Sequence, residues 1–299
     1  MNALEVNGLS VSFSMYDKGT RKRDLKVISD LNIKMNTGEI LAVAGSSGSG
    51  KSLLAHAILG ILPQNAKCGG EMTWFGEPLT SKLQKQIRGK ELALVPQSVT
   101  YLDPLMRVGK QVSRNMQKAV STLKNYDLDE KVVRHFPFEL SGGMSRRVLL
   151  ATAAASNAKV IIADEPTPGL SKELAASAMA GFRELADNGA SVLLITHDLD
   201  LALKYADRIA VFYAGTTVET ANAADFESEG LLRHPYSRAL WSAMPQNGFS
   251  PIPGTQPYPG SLPEGCLFAP RCKFRTPECA EVPPLRAVRN GEVCCFHAS

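Results

Sequence analysis

The chain has 299 residues, 44% hydrophobic and 21% charged, with a formal net charge of +4. That supports a real core near the size at which one core stops growing, so a main domain with a tail is expected. Lys and Arg are scattered apart from Arg21-Lys22-Arg23, which argues against a nucleic-acid partner; apolar runs are interrupted by His56, Lys159 or Asp164 before the roughly 18 residues of a membrane helix, and residues 1–6 lack the regions of a secretion signal.

In chain order, residues 3–13 and 25–35 alternate apolar and polar, which predicts two antiparallel strands with one face on a core. Ile40-Leu41-Ala42-Val43-Ala44, Val160-Ile161-Ile162-Ala163 and Val192-Leu193-Leu194-Ile195 are continuous apolar runs, as expected of parallel strands buried on both faces. Helical spacing joins Leu53, Leu54, Ala57, Ile58 and Ile61, and again Val112, Met116, Val120 and Leu123. The fold class is α/β with an antiparallel portion and a helical insert. From about residue 232, closely spaced prolines from Pro235 to Pro284 predict a loop-rich appendage with little core of its own.

Gly45-Ser46-Ser47-Gly48-Ser49-Gly50-Lys51-Ser52 stands between a buried strand and an amphipathic helix. Its glycines let successive N–H groups turn toward phosphate oxygens, and the helix start adds the positive end of its dipole. Lys51 would bridge the β- and γ-phosphates and the Ser52 hydroxyl would ligate Mg²⁺. The strand ending Ala163-Asp164-Glu165-Pro166 brings two acids to the end of a parallel sheet where ligands collect. Asp164 would hold the Mg²⁺ shell; Glu165 would orient or deprotonate the attacking water.

About twenty residues before that strand stands Leu140-Ser141-Gly142-Gly143-Met144. Together these motifs resemble the ATP-binding cassette (ABC) ATPases, with Val95-Pro96-Gln97 similar to the family's Gln loop and Ile195-Thr196-His197-Asp198 to its His switch. The resemblance implies a P-loop NTPase cassette over 1–230: a mixed parallel core sheet, an antiparallel subdomain and a helical subdomain at about 98–156. It implies ATP and Mg²⁺ as cofactors, and a dimer in which Ser141, Gly142 and Gly143 reach the nucleotide held by the partner's phosphate loop. Gln97 would contact Mg²⁺ or water and couple the site to membrane subunits, and His197 would bind the γ-phosphate. An aromatic side chain stacks on adenine in the family, here Phe13 or, alternatively, Tyr16.

Three departures stand out: Met144 and Arg146 replace the family's usual glutamines, and Ser171 stands where an Asp normally crosses the dimer. They imply a heterodimer with a second ABC ATPase subunit; a catalytically degenerate subunit is the alternative. Residues 98–140 are shorter than in close relatives, implying a trimmed helical subdomain, while residues 102–109 keep the pattern of the coupling surface. His234-Pro235-Tyr236 and the Gly265-Cys266 region resemble the C-terminal extension of oligopeptide, dipeptide and nickel importer ATPases, spanning 231–299. That implies two permease subunits, an extracytoplasmic solute-binding protein, peptide or nickel-chelate cargo, and a peripheral place on the cytoplasmic face of the membrane. Five of the six cysteines lie between Cys266 and Cys295. In a reducing compartment clustered thiols are better ligands than disulfides. Their spacing does not match paired zinc knuckles, and importer relatives similarly carry four-cysteine clusters; Cys266, Cys272, Cys279 and Cys295 are therefore expected to hold a [4Fe-4S] cluster, with Zn²⁺ or unliganded thiols as alternatives.

Overall fold

A computed structural model describes residues 1–16, 22–46 and 48–298. Its first strands, β1 (Asn2–Tyr16) and β2 (Lys22–Asn36), pair antiparallel with Val6 opposite Ile33 and Phe13 opposite Leu25. The chain then enters β3 (Ile40–Ala44), buried at every position, and leaves through a glycine-rich turn into α1 (Lys51–Leu59). β4 (Ala66–Trp74) pairs with the far edge of β1 and carries β5 (Glu77–Pro78) beside it. α2 (Ser81–Ile87) leads into β6 (Leu92–Val95).

The helical insert consists of α3 (Val108–Val112), α4 (Met116–Asn125) and α5 (Gly142–Ala155). The spacing that joined Val112 to Leu123 is divided between two helices. Ser113 is extended at φ −156°, and the Asn115 side chain accepts from Lys118 N at 3.2 Å, so a new helix is capped there. Both pieces still bury the same apolar set, with Val112, Ala119 and Leu123 in one core.

β7 (Val160–Asp164), α6 (Lys172–Asp187), β8 (Ser191–Thr196), α7 (Leu199–Tyr205) and β9 (Arg208–Tyr213) complete the parallel sheet, in the order β9-β3-β8-β7-β6. β10 (Thr216–Asn222) pairs antiparallel with β9 and meets β2 at Thr216 and Asp30, joining the antiparallel strands to the same sheet. The sheet separates two cores: Ala42, Ala44, Ile161 and Ala163 face one, and Leu41, Val43, Val160 and Ile162 face the other. Period-two alternation within uniformly apolar strands is what two-sided burial requires.

Beyond residue 231 come α8 (Pro235–Ser242), β11 (Leu285–Val288) and β12 (Gly291–Cys294). β12 pairs antiparallel with β10, and Leu232, Tyr236 and Phe268 enter the first core, so this segment draws its apolar support from the main sheet. A fully buried carboxylate ties it down. Glu219 on β10 accepts from Arg233 N at 2.9 Å, His234 N at 2.8 Å and Arg233 Nη1 at 3.2 Å, while Asp225 shares that guanidinium at 2.8 Å. A charge buried this deeply persists only with such partners.

Candidate active site

The carboxyl ends of β3, β7 and β8 lie side by side, Ala44 opposite Thr196 and Asp164 opposite Ile195. Each strand releases its functional group there. At Gly45 a Cβ would stand 2.2 Å from the Phe212 carbonyl oxygen, so only glycine leaves the sheet at this point. The loop turns through Gly50 at φ 95°, which N-caps α1. Ser47 lies outside the described residues.

Lys51, 5% exposed, donates through Nζ to the carbonyls of Gly45 at 2.8 Å and Ser46 at 2.9 Å. Burial lowers its pKa, opposed by the charges of Glu165 and Asp164. The Ser52 hydroxyl lies 3.1 Å from Asp164 Oδ1. Burial raises the Asp164 carboxyl above its ordinary range; the Ser52 hydrogen bond opposes the rise and Glu165 adds to it. A hydroxyl beside a buried carboxylate is an oxygen donor set of the kind that suits Mg²⁺.

Glu165 has φ 47°, a left-handed conformation for a non-glycine residue, and its N–H donates to Ile195 O at 2.8 Å. This bend turns the chain out of β7 and is the kind of local strain found at functional sites. His197 Nδ1 lies 2.9 Å from Glu165 Oε1. The histidine sits on the short turn between β8 and α7, where Asp198 N donates to Thr196 Oγ1 at 3.0 Å and the Asp198 carboxylate caps Leu201 N at 3.0 Å. Lys51, Ser52, Asp164, Glu165 and His197 are thus brought together.

The other expected residues stand further out. Gln97 is exposed just beyond β6, next to β7 in the sheet. Ser141 caps α5 by accepting from Met144 N at 3.3 Å, and positions 142 and 143 face open space. Phe13 is half-buried and packs against the core, whereas Tyr16 is 70% exposed with the Lys22 ammonium 5.6 Å from its ring centre. Arg146 gains a place the sequence did not supply. It is 6% exposed and donates to the Pro96 carbonyl at 2.8 Å, joining α5 to the segment before Gln97. Burial lowers its pKa, opposed by Asp164 and Glu165.

In the tail, Cys266 N donates to Cys279 O at 3.0 Å, and Cys272 lies two short turns further on, its N–H donating to Ala269 O at 3.3 Å. Among the described residues no group of three or more His, Cys, Asp or Glu stands as it would to hold a metal ion. Burial raises the thiols of Cys266, Cys272 and Cys295, favouring the protonated form over the ligating thiolate. His297, to which the sequence reading gave no role, places Nε2 3.5 Å from Cys279 Sγ.

Residues 28–168 match the family described as ABC transporter, and residues 218–279 match the oligopeptide/dipeptide transporter C-terminal region. Across 98% of its length the chain is 35% identical to the oligopeptide transport ATP-binding protein OppD of Escherichia coli strain K12, covering 92% of that protein. It is 35% identical to OppD of Bacillus subtilis strain 168 over 91% of the chain and 81% of the relative. A dimeric ATP-binding cassette solved in a post-hydrolysis state with ADP and phosphate superposes with a TM-score of 0.65 at 24% identity, covering 74% of this chain and 98% of that one.

Proposed function

From the premise that the chain belongs to the ABC transporter family as an ATPase coupled to transport, we propose that it energises a binding-protein-dependent peptide importer and hydrolyses ATP at the ends of β3, β7 and β8. The observation that carries this reading is the contact of Glu165 with His197 at 2.9 Å beside the Ser52–Asp164 pair. The loop amides, the start of α1 and Lys51 bind the triphosphate. Ser52 and Asp164 would hold Mg²⁺, aided by Gln97, and the ion would neutralise charge on the transferring phosphoryl group. Glu165 takes the proton of the attacking water, and His197 holds that carboxylate through Nδ1, leaving Nε2 to meet the γ-phosphate. A catalytically degenerate subunit would have no use for this pair. Phe13 or Tyr16 contacts adenine, and Ser141, Gly142 and Gly143 close on the nucleotide of a partner cassette.

Peptide is favoured over nickel as cargo because the relatives are named for oligopeptide transport. Two permease subunits and an extracytoplasmic solute-binding protein complete the assembly, with the chain on the cytoplasmic face; no helix among the described residues is long and apolar enough to cross a membrane. Residues 1–230 act as the cassette, with its helical subdomain at about 98–156, and 231–299 as the importer-type extension. The missing carboxylate at Ser171 favours a heterodimer with a second ATPase.

For the tail, we propose that Cys266, Cys272, Cys279 and Cys295 would hold a [4Fe-4S] cluster. Burial raises the Cys295 thiol and its nearness to the other three thiols adds to the rise; the four would supply thiolate ligands to a cluster held between them. The ATPase reading is tested in the reconstituted transporter. Lys51→Ala abolishes turnover, and Glu165→Gln retains ATP binding while lowering turnover at least about 100-fold. Wild-type turnover in Glu165→Gln would refute the assignment of the base.

A further inference from the structure

The C-terminal segment passes over the phosphate loop as a strap fixed at three points. At its start Arg271 donates to Pro253 O at 2.7 Å and Ile252 O at 3.2 Å. At its end Arg23 of β2 donates to the Gly260 carbonyl. Between the two, the Gln256 side chain accepts a hydrogen bond from the Ser46 hydroxyl.

α8 brings a second group to the same serine. The Tyr236 ring lies 4.5 Å from that of Tyr213 and 5.4 Å from that of Phe268, a packed aromatic group whose third ring belongs to the cysteine-bearing stretch. Its hydroxyl approaches Ser46; burial pushes the Tyr236 pKa up to about 12, and the nearby Ser46 opposes that rise. Ser46 in turn offers its carbonyl to Lys51 Nζ at 2.9 Å and Ser49 N at 3.4 Å. One serine thus joins the extension to the phosphate-binding lysine.

We propose that Tyr236 and Gln256 are positioning residues of the nucleotide site: they fix Ser46, and through it the loop amides and Lys51, in the arrangement that receives the triphosphate. The inference rests on the ATP-site reading above. Its physical basis is pre-organisation. A loop with glycines at φ 76° and 95° has much backbone freedom to lose on binding, and an external tether removes that freedom beforehand, which appears as affinity. Neither side chain takes part in the bond-breaking step, so the effect falls on ATP affinity rather than on turnover at saturation.

The experiment uses the full chain with Tyr236→Phe, Gln256→Ala, Ser46→Ala and the two tail changes in the Ser46→Ala background. Affinity is read by titration with a fluorescent ATP analogue, and KM and kcat in the reconstituted transporter. Each tail change is expected to weaken nucleotide binding roughly three- to tenfold, the net weight of one hydrogen bond, with KM rising in step and kcat changing less than about twofold. In the Ser46→Ala background the same changes should have no further effect, because the residue they act through is gone. Unchanged affinity overturns the inference. So do losses of equal size with and without the Ser46 hydroxyl, which mark a general role in folding the tail. Gln256→Ala lies on the strap and keeps the test open if Tyr236→Phe perturbs the aromatic group. A wild-type chain that binds no nucleotide overturns the ATP-site reading and the inference with it.

Discussion

To hold Mg²⁺ as proposed, Asp164 would be charged where burial favours the neutral acid. Its pKa is raised, so the folded state holds the proton more tightly than the unfolded one. The carboxylate therefore costs stability above its folded pKa, and the cost vanishes below the unfolded value of about 3.9. Asp164→Asn should raise the melting temperature at pH 7.5, since it removes the cost of the buried charge. The gain should shrink on acidification through the carboxyl range, and turnover should be lost. An unchanged or lower melting temperature at pH 7.5 would refute this account. The placement of Lys51, Ser52, Asp164 and Glu165 beside strand ends was legible in the sequence, because each stands in a short contiguous pattern next to an apolar run. Arg146 was legible only as a departure, since nothing local says that its guanidinium reaches Pro96, 50 positions earlier. Gln256 gave no signal, and Tyr236 was legible only as part of the importer-type extension, because their approach to Ser46 spans long stretches of chain.

At the level of elements, continuous apolar runs identified β3, β7 and β8, and alternation identified β1 and β2, because burial on two faces or one leaves those two patterns. The division between α3 and α4 was missed because periodicity continues through Ser113 while the backbone does not. β11 and β12 escaped notice behind Pro283 and Pro284, as four-residue strands stabilised by an edge that β10 supplies. Ser171 shows an element reinterpreting a residue. It N-caps α6 by accepting from Leu174 N at 3.3 Å, so its loss to the dimer contact is not a loss to the helix. Ser171→Ala should cost about 1 kcal/mol. Ser171→Asp should keep the cap and, if a carboxylate there crosses the dimer, raise turnover. A melting temperature for Ser171→Asp as low as that of Ser171→Ala would contradict the capping role.

On the scale of the whole molecule, the extension and the cassette share a sheet, a core and the buried Glu219 anchor. Native mass spectrometry of the transporter purified without oxygen should show one copy of this chain with one copy of a second ATPase, and added mass matching four irons and four sulfides. Two copies of this chain without another ATPase would end the heterodimer proposal, and stoichiometric zinc or no added mass would end the cluster. The tether between Ser46 and Gln256 spans 210 positions, and a protein is made from one end. At about 5–20 residues per second, a ribosome that has just built the phosphate loop needs roughly 10–40 s to supply its tether. Throughout that interval the nascent chain carries the motif without its final support, so full grip on ATP comes among the last properties this protein acquires at birth.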